Sequence, residues 1–123
     1  MDERAFKERT KLLGLRVIRL VEALPKGRVA DVIGNQLLRA GTSVGANYRA
    51  ACRGKSTADI LAKLCIVEEE ADECLYWMEL LIDAKLVSED KLDALIAEGN
   101  EILAMTVASI KTLRRKRSIS NPT

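Results

Sequence analysis

Apolar residues recur along this chain in alternating steps of four and three. The clearest run lies in its middle: Ile60, Leu64, Val67, Ala71, Cys74, Met78 and Leu81. A 3.5-residue period keeps one stripe of a long helix turned toward a partner, so this run predicts a helix packed lengthwise against its neighbours. Phe6, Thr10, Leu13, Val17, Leu20 and Leu24 mark a first helix over about residues 2–24, stopped by Pro25 and Gly27. Ile33, Leu37, Ala40, Val44, Asn47 and Ala51 mark a second over about 29–53, with Gly54 placed to end it. The third starts behind Ser56, Thr57, Ala58 and Asp59, a hydroxyl ahead of an acidic first turn, and runs to about residue 86. Ser88, Glu89 and Asp90 cap a fourth, which carries Leu92, Leu95, Gly99, Ile102, Thr106, Ser109 and Leu113 before dissolving into RRKRSISNPT.

Connections this short between helices of about 22 to 30 residues force neighbours to run antiparallel. The predicted fold is therefore all-α, an antiparallel up-down-up-down four-helix bundle roughly 35 to 45 Å long at ~1.5 Å per residue. Residues 1–117 are expected to form one domain and 118–123 a disordered C-terminal tail. Gly34, Gly41 and Gly45 each cost the second helix up to about 1 kcal/mol relative to alanine. At near-helical spacing they permit either an unusually close helix approach or a local kink.

Some apolar residues exceed what one bundle can bury. CLYWM at residues 74–78 covers the full circumference of helix 3 at 100° per residue, and residues 102–110 and 40–48 carry no charge. Surplus of this kind marks association surfaces, which predicts a homo-oligomer burying Tyr76 or Trp77 and parts of helices 2 and 4.

Composition supports a helical core. Apolar residues are 48% of the chain but aromatics only 3%, so Leu, Ile, Val and Ala must fill the interior. The three cysteines, Cys52, Cys65 and Cys74, are odd in number and form no Cys-x-x-Cys pair, which suits buried thiols in a reducing cytoplasm. The charged N-terminal stretch MDERAFKERTK lacks the apolar segment of a signal peptide, and no run resembles a membrane span.

Charge is segregated although its net value is only +2. Residues 1–55 hold 12 Lys/Arg against 5 Asp/Glu, residues 56–101 hold 3 against 13, and residues 102–123 hold 5 against none. Part of this pattern reads as ion pairing between helices 2 and 3. An antiparallel turn near residue 55 brings Arg39 level with Glu69, Glu70 or Glu73, and Arg49 or Arg53 level with Asp59. The rest has no evident partner: Arg4, Lys7, Lys11, Arg16 and Arg19 on helix 1, Lys26 and Arg28 at its end, and Lys111, Arg114, Arg115, Lys116 and Arg117 on the last turns and tail. A basic stripe of this kind is the electrostatic footprint of a phosphate-backbone binder, and symmetric assembly would repeat it for a polyanion spanning several copies. A solvated face looks the same, and cations at a helix C-terminus also complement its dipole.

Candidate chemistry is sparse. No histidine occurs, which removes the commonest general base and a Glu-x-x-His di-metal site. EEEADE at 68–73 spreads its carboxylates around the helix rather than gathering them on a cation. Neither a phosphate-binding Gly-rich loop nor a nucleophile elbow is present, so the reading is of a non-enzyme without cofactor or metal.

FKERTKLLGLRVIRLVEALPKG, VADVIGNQLLRAGTSVGANYRAACRGKS, IVEEEADECLYWMELLIDAKLV and VASIKTLRRK resemble the four-helix-bundle family that includes proteins encoded in intervening sequences of bacterial 23S ribosomal RNA genes. That family is similar to the accessory variability protein of diversity-generating retroelements. The resemblance implies a bacterial, cytoplasmic homopentamer with a basic outer surface contacting RNA or DNA. Within the matching stretch, Asn47 reads as a buried polar residue fixing helix register. Two functions follow as expectations: an oligomeric accessory protein binding RNA or DNA by charge and shape, or a scaffold that docks a protein partner such as a reverse transcriptase.

Overall fold

A computed structural model describes residues 2–120, and the side chains of residues 2–118. Four helices account for it: α1 (Glu3–Glu22), α2 (Arg28–Cys52), α3 (Thr57–Asp83) and α4 (Glu89–Ser120). No strand occurs among the described residues. The caps follow local chemistry. The Asp2 carboxylate accepts from the Arg4 N–H at 3.0 Å at the start of α1. Ser56 Oγ accepts from the Asp59 N–H at 3.1 Å, while Asp59 Oδ2 accepts from the Lys55 N–H at 3.1 Å, a reciprocal cap on α3. Gly27 opens α2 at φ 152°, a backbone conformation that side chains disfavour.

Helix α3 ends three residues before the predicted 86. Lys85 adopts φ 62°, and the Leu86 N–H turns back to the Leu81 carbonyl at 3.0 Å, a Schellman-type stop built without glycine. Helix α4 runs on through residues 118–120, which the sequence pattern assigns to a tail, because nothing in RRKRS breaks a helix and cations suit its C-terminal end. The remaining tail residues, 121–123, lie outside the described residues.

Each helix packs on the next, and α1 meets α4 across a much thinner seam. Among the described residues the backbones of α1 and α3, and those of α2 and α4, do not come close, so these pairs occupy opposite corners. The order of contacts is antiparallel. Phe6 stacks edge-on against Tyr48 with centroids 4.7 Å apart, whereas Val17, further along α1, meets Gly41, earlier on α2. Arg39 meets Glu70 and Glu73, and Leu75 and Met78 meet Gly99. The core is the predicted seam with small shifts. Leu13, Val17, Leu37, Val44, Val67, Met78, Leu81 and Ile102 are fully buried.

The glycines of α2 serve close approach, and the helix is continuous. A β-carbon on Gly41 would stand 2.8 Å from both methyls of Val17, and one on Gly45 would stand 3.2 Å from the Thr10 carbonyl oxygen. Asn47 does not fix register between helices. It is half-buried and its Nδ2 donates to the Ser43 carbonyl of its own helix at 2.9 Å, while Tyr48 takes the core position. No helix is long and apolar enough to cross a membrane among the described residues.

Candidate nucleic-acid interface

Antiparallel packing sorts the charges by end. We call basal the end holding the start of α1, the end of α2, the start of α3 and the last turns of α4. The packing between helices brings residues 2–11, 44–66 and 105–118 to this end, with 13 Lys/Arg against 4 Asp/Glu; the rest of the molecule holds 7 against 14. Segregation along the chain thus becomes a polarity from end to end.

The predicted cations divide into four groups. Arg4, Lys7 and Lys11 lie on the flank of α1 nearest α2, with Arg4 and Lys11 exposed and Lys7 3.6 Å from Glu3. Lys111, Arg114, Arg115, Lys116 and Arg117 crowd the last turns of α4 at the same end, and of these five only Arg114 makes a side-chain hydrogen bond or ion pair among the described residues, its Nη2 lying 3.7 Å from Cys65 Sγ. At 3.6 residues per turn Arg16 stands about 120° to 180° around α1 from the first group and Arg19 about 60° to 120°, so the cations of helix 1 spread around its outer side rather than forming one stripe. Lys26 and Arg28 are exposed at the opposite, apical end.

The expected ion pairs form in part. Arg39 Nη1 lies 3.0 Å from Glu70 Oε2, and its Nη2 bonds Glu73. That bond holds the Glu73 carboxyl below its ordinary range, helped by the Trp77 Nε1–H at 3.2 Å. Arg49, Arg53 and Glu69 are exposed and make no ion pair among the described residues. Asp59, the expected partner of Arg49 and Arg53, is spent on the Lys55 N–H. Equal height did not suffice: Arg49, one turn beyond Gly45, lies near the α1-facing flank of α2, Arg53 lies past the helix end, and both join Arg4, Lys7 and Lys11 at the basal end. Tyr76 is exposed and Trp77 half-buried, their rings edge-on at 5.0 Å.

Sequence reasoning missed Arg9. Its guanidinium reaches Glu98, Glu101 and the Met105 sulfur of α4, and closes the thin α1–α4 seam. Below Met105 the helices part around a cleft of about 590 Å³, lined by Tyr48, Cys52, Ile60, Leu64 and Leu113, with Glu3 and Lys116 among its polar residues. Burial pushes the Tyr48 hydroxyl and the Cys52 thiol above their usual pKa values. The described residues hold no cluster of His, Cys, Asp and Glu able to bind a metal.

An all-helical chain of four helices with one strongly basic end is the class that fold and surface define. The chain belongs to the 23S rRNA-intervening sequence protein family, whose family model matches residues 4–108. It is similar to a solved protein of unknown function from the S23 ribosomal protein family of Bacteroides thetaiotaomicron VPI-5482, at 32% identity and a TM-score of 0.84, over 90% of this chain and 99% of that one. No curated protein matches it. The basic cluster from Lys111 onward lies beyond the stretch that the family model covers.

Proposed function

We propose that this chain is a non-enzymatic, oligomeric accessory protein of the cytoplasm that holds RNA or DNA at its basal end, by charge and shape rather than by base sequence. The observation that carries this reading is the gathering of 13 cations against 4 carboxylates at one end of the helices, five of those cations on the last turns of α4 with no carboxylate near them in sequence. A phosphate backbone is the ligand class such an end attracts, and several copies would present several such ends to one strand. Five copies is the number the family resemblance implies. No aromatic platform accompanies the cations: Phe6 and Tyr48 are buried in the core and Tyr76 and Trp77 sit on α3, toward the apical end.

The test is the salt dependence of binding to a labelled RNA. Replacing Arg114, Arg115, Lys116 and Arg117 by glutamine is expected to flatten the plot of log affinity against log salt by roughly 0.7 to 0.9 for each phosphate no longer neutralised. An unchanged slope, or no binding in dilute buffer, overturns the reading. A second reading, a scaffold docking a protein such as a reverse transcriptase, is favoured by exposed Val29, Val32 and Tyr76 away from the basic end. Under it the same four changes leave partner binding intact.

A further inference from the structure

Among the described residues the large apolar side chains that stay exposed are Leu12, Leu15, Val29, Val32 and Tyr76, each between 41% and 57% accessible. They form two groups. Leu12 and Leu15 stand on the outward line of α1, and the cations Lys11, Arg16 and Arg19 lie within about one turn of them, with Glu8 the nearest carboxylate. Tyr76 stands on the outward line of α3, where Glu69, Asp72, Glu79 and Asp83 are all exposed at the same 3-4 spacing. Trp77 and Leu80 extend this second group toward α2. The register that sets Arg39 beside Glu70 and Glu73 brings Val29 and Val32 to their height.

Because α1 and α3 occupy opposite corners, the two groups face away from each other. One is rimmed by cations and the other by carboxylates. A two-fold contact of either face with itself would set like charges together, whereas one face against the other pairs opposite charges around an apolar centre. We infer that the occupant of each face is a second copy of this chain, with the Leu12 and Leu15 face of one copy seated on the Tyr76 face of the next, head to tail. The inference rests on the oligomeric reading above and deepens it. It assigns Arg16 and Arg19 to subunit contact, sets Lys11 at the border between the two surfaces, and leaves the rest of the basal cluster to the polyanion.

The experiment uses Leu15→Glu, which sets a carboxylate against the acidic face, and Tyr76→Lys, which sets a cation against the basic one. Leu12→Glu and Asp72→Lys form a parallel pair, and circular dichroism checks that all four keep wild-type helicity. In sedimentation the wild type is expected to run above monomer mass and each variant alone as a monomer. An equimolar mixture of Leu15→Glu and Tyr76→Lys is expected to recover association, at least to a 1:1 dimer, since one intact pairing of faces survives between them. A folded variant that keeps the wild-type mass, or a mixture that stays monomeric, overturns head-to-tail assembly while leaving oligomerisation standing. A monomeric wild type instead overturns the oligomeric reading, and this inference with it.

Discussion

The guanidinium of Arg9 grips the Glu98 carboxylate across the α1–α4 seam through two hydrogen bonds, Nη2 to Oε1 at 2.6 Å and Nε to Oε2 at 3.0 Å. Their side chains are 34% and 19% accessible, so the pair is only partly screened by water. Little else joins these helices. Arg9→Met is expected to cost about 1 kcal/mol at low salt, the upper end for partly exposed pairs. A double-mutant cycle with Glu98→Gln measures the coupling. Amide exchange should quicken along the first half of α1 more than in α2 or α3. Strictly additive single changes would remove the pair as a latch.

Two glycines that face each other across α1 and α2 should respond oppositely to alanine. A β-carbon on Gly14 meets Gly41 O and the Thr42 Cα at 3.7 Å, ordinary contact, so Gly14→Ala should stabilise by up to about 1 kcal/mol through helix propensity. Gly41→Ala meets Val17 at 2.8 Å and should destabilise by about 1 to 2 kcal/mol despite the same gain, because the core is overpacked. Urea midpoints decide the signs, and adding Val17→Ala should recover part of the Gly41→Ala loss.

Acid should release Arg39 from Glu73. The Glu73 carboxyl sits below its ordinary 4.5, first through the hydrogen bond from Arg39 and then through that from Trp77. A carboxylate with a depressed folded-state pKa stabilises the fold above its unfolded value; that contribution disappears as pH falls through the lower folded value. Melting temperature is therefore expected to drop below about pH 4.5 less steeply in Glu73→Gln than in the wild type. Emission from Trp77, the single tryptophan, should change over the same interval in the wild type alone.

The three thiols should differ in alkylation. Cys74 is 1% accessible and its thiol is pushed up to about 12 by burial, so it should label only on unfolding. Half-buried Cys65 should label first in native buffer, and Cys52, also half-buried but with its thiol raised, more slowly. Peptide mass spectrometry orders them; native labelling of Cys74 at the rate of Cys65 would contradict the packing.

Much of the architecture was legible in the chain because apolar spacing is local. Leu13, Val17, Leu37, Val44, Leu64, Val67 and Ile102 all fall where the 3-4 pattern puts them. Pairing across helices was less so. Antiparallel register gives the height of Arg49 opposite Asp59 but not the direction in which either points, and the fold sends them apart. Arg9 meets a partner 89 residues away, which no nearby sequence signals. The end of α3 was misplaced because lysine holds the left-handed position that glycine usually advertises. Of the basic surface, the cluster after Lys111 was visible as a run. Its union with Arg4, Lys11, Arg49 and Arg53 exists only once α1 and α2 lie side by side.

That polarity from end to end gives the chain a permanent electric moment along its long axis. A strand of fixed negative charge exerts torque on such a moment at distances of about a Debye length, ~8 Å at physiological salt. If the chain holds a polyanion as proposed, encounters begin with the molecule already turned basal end first, so that orientation is settled before any side chain touches.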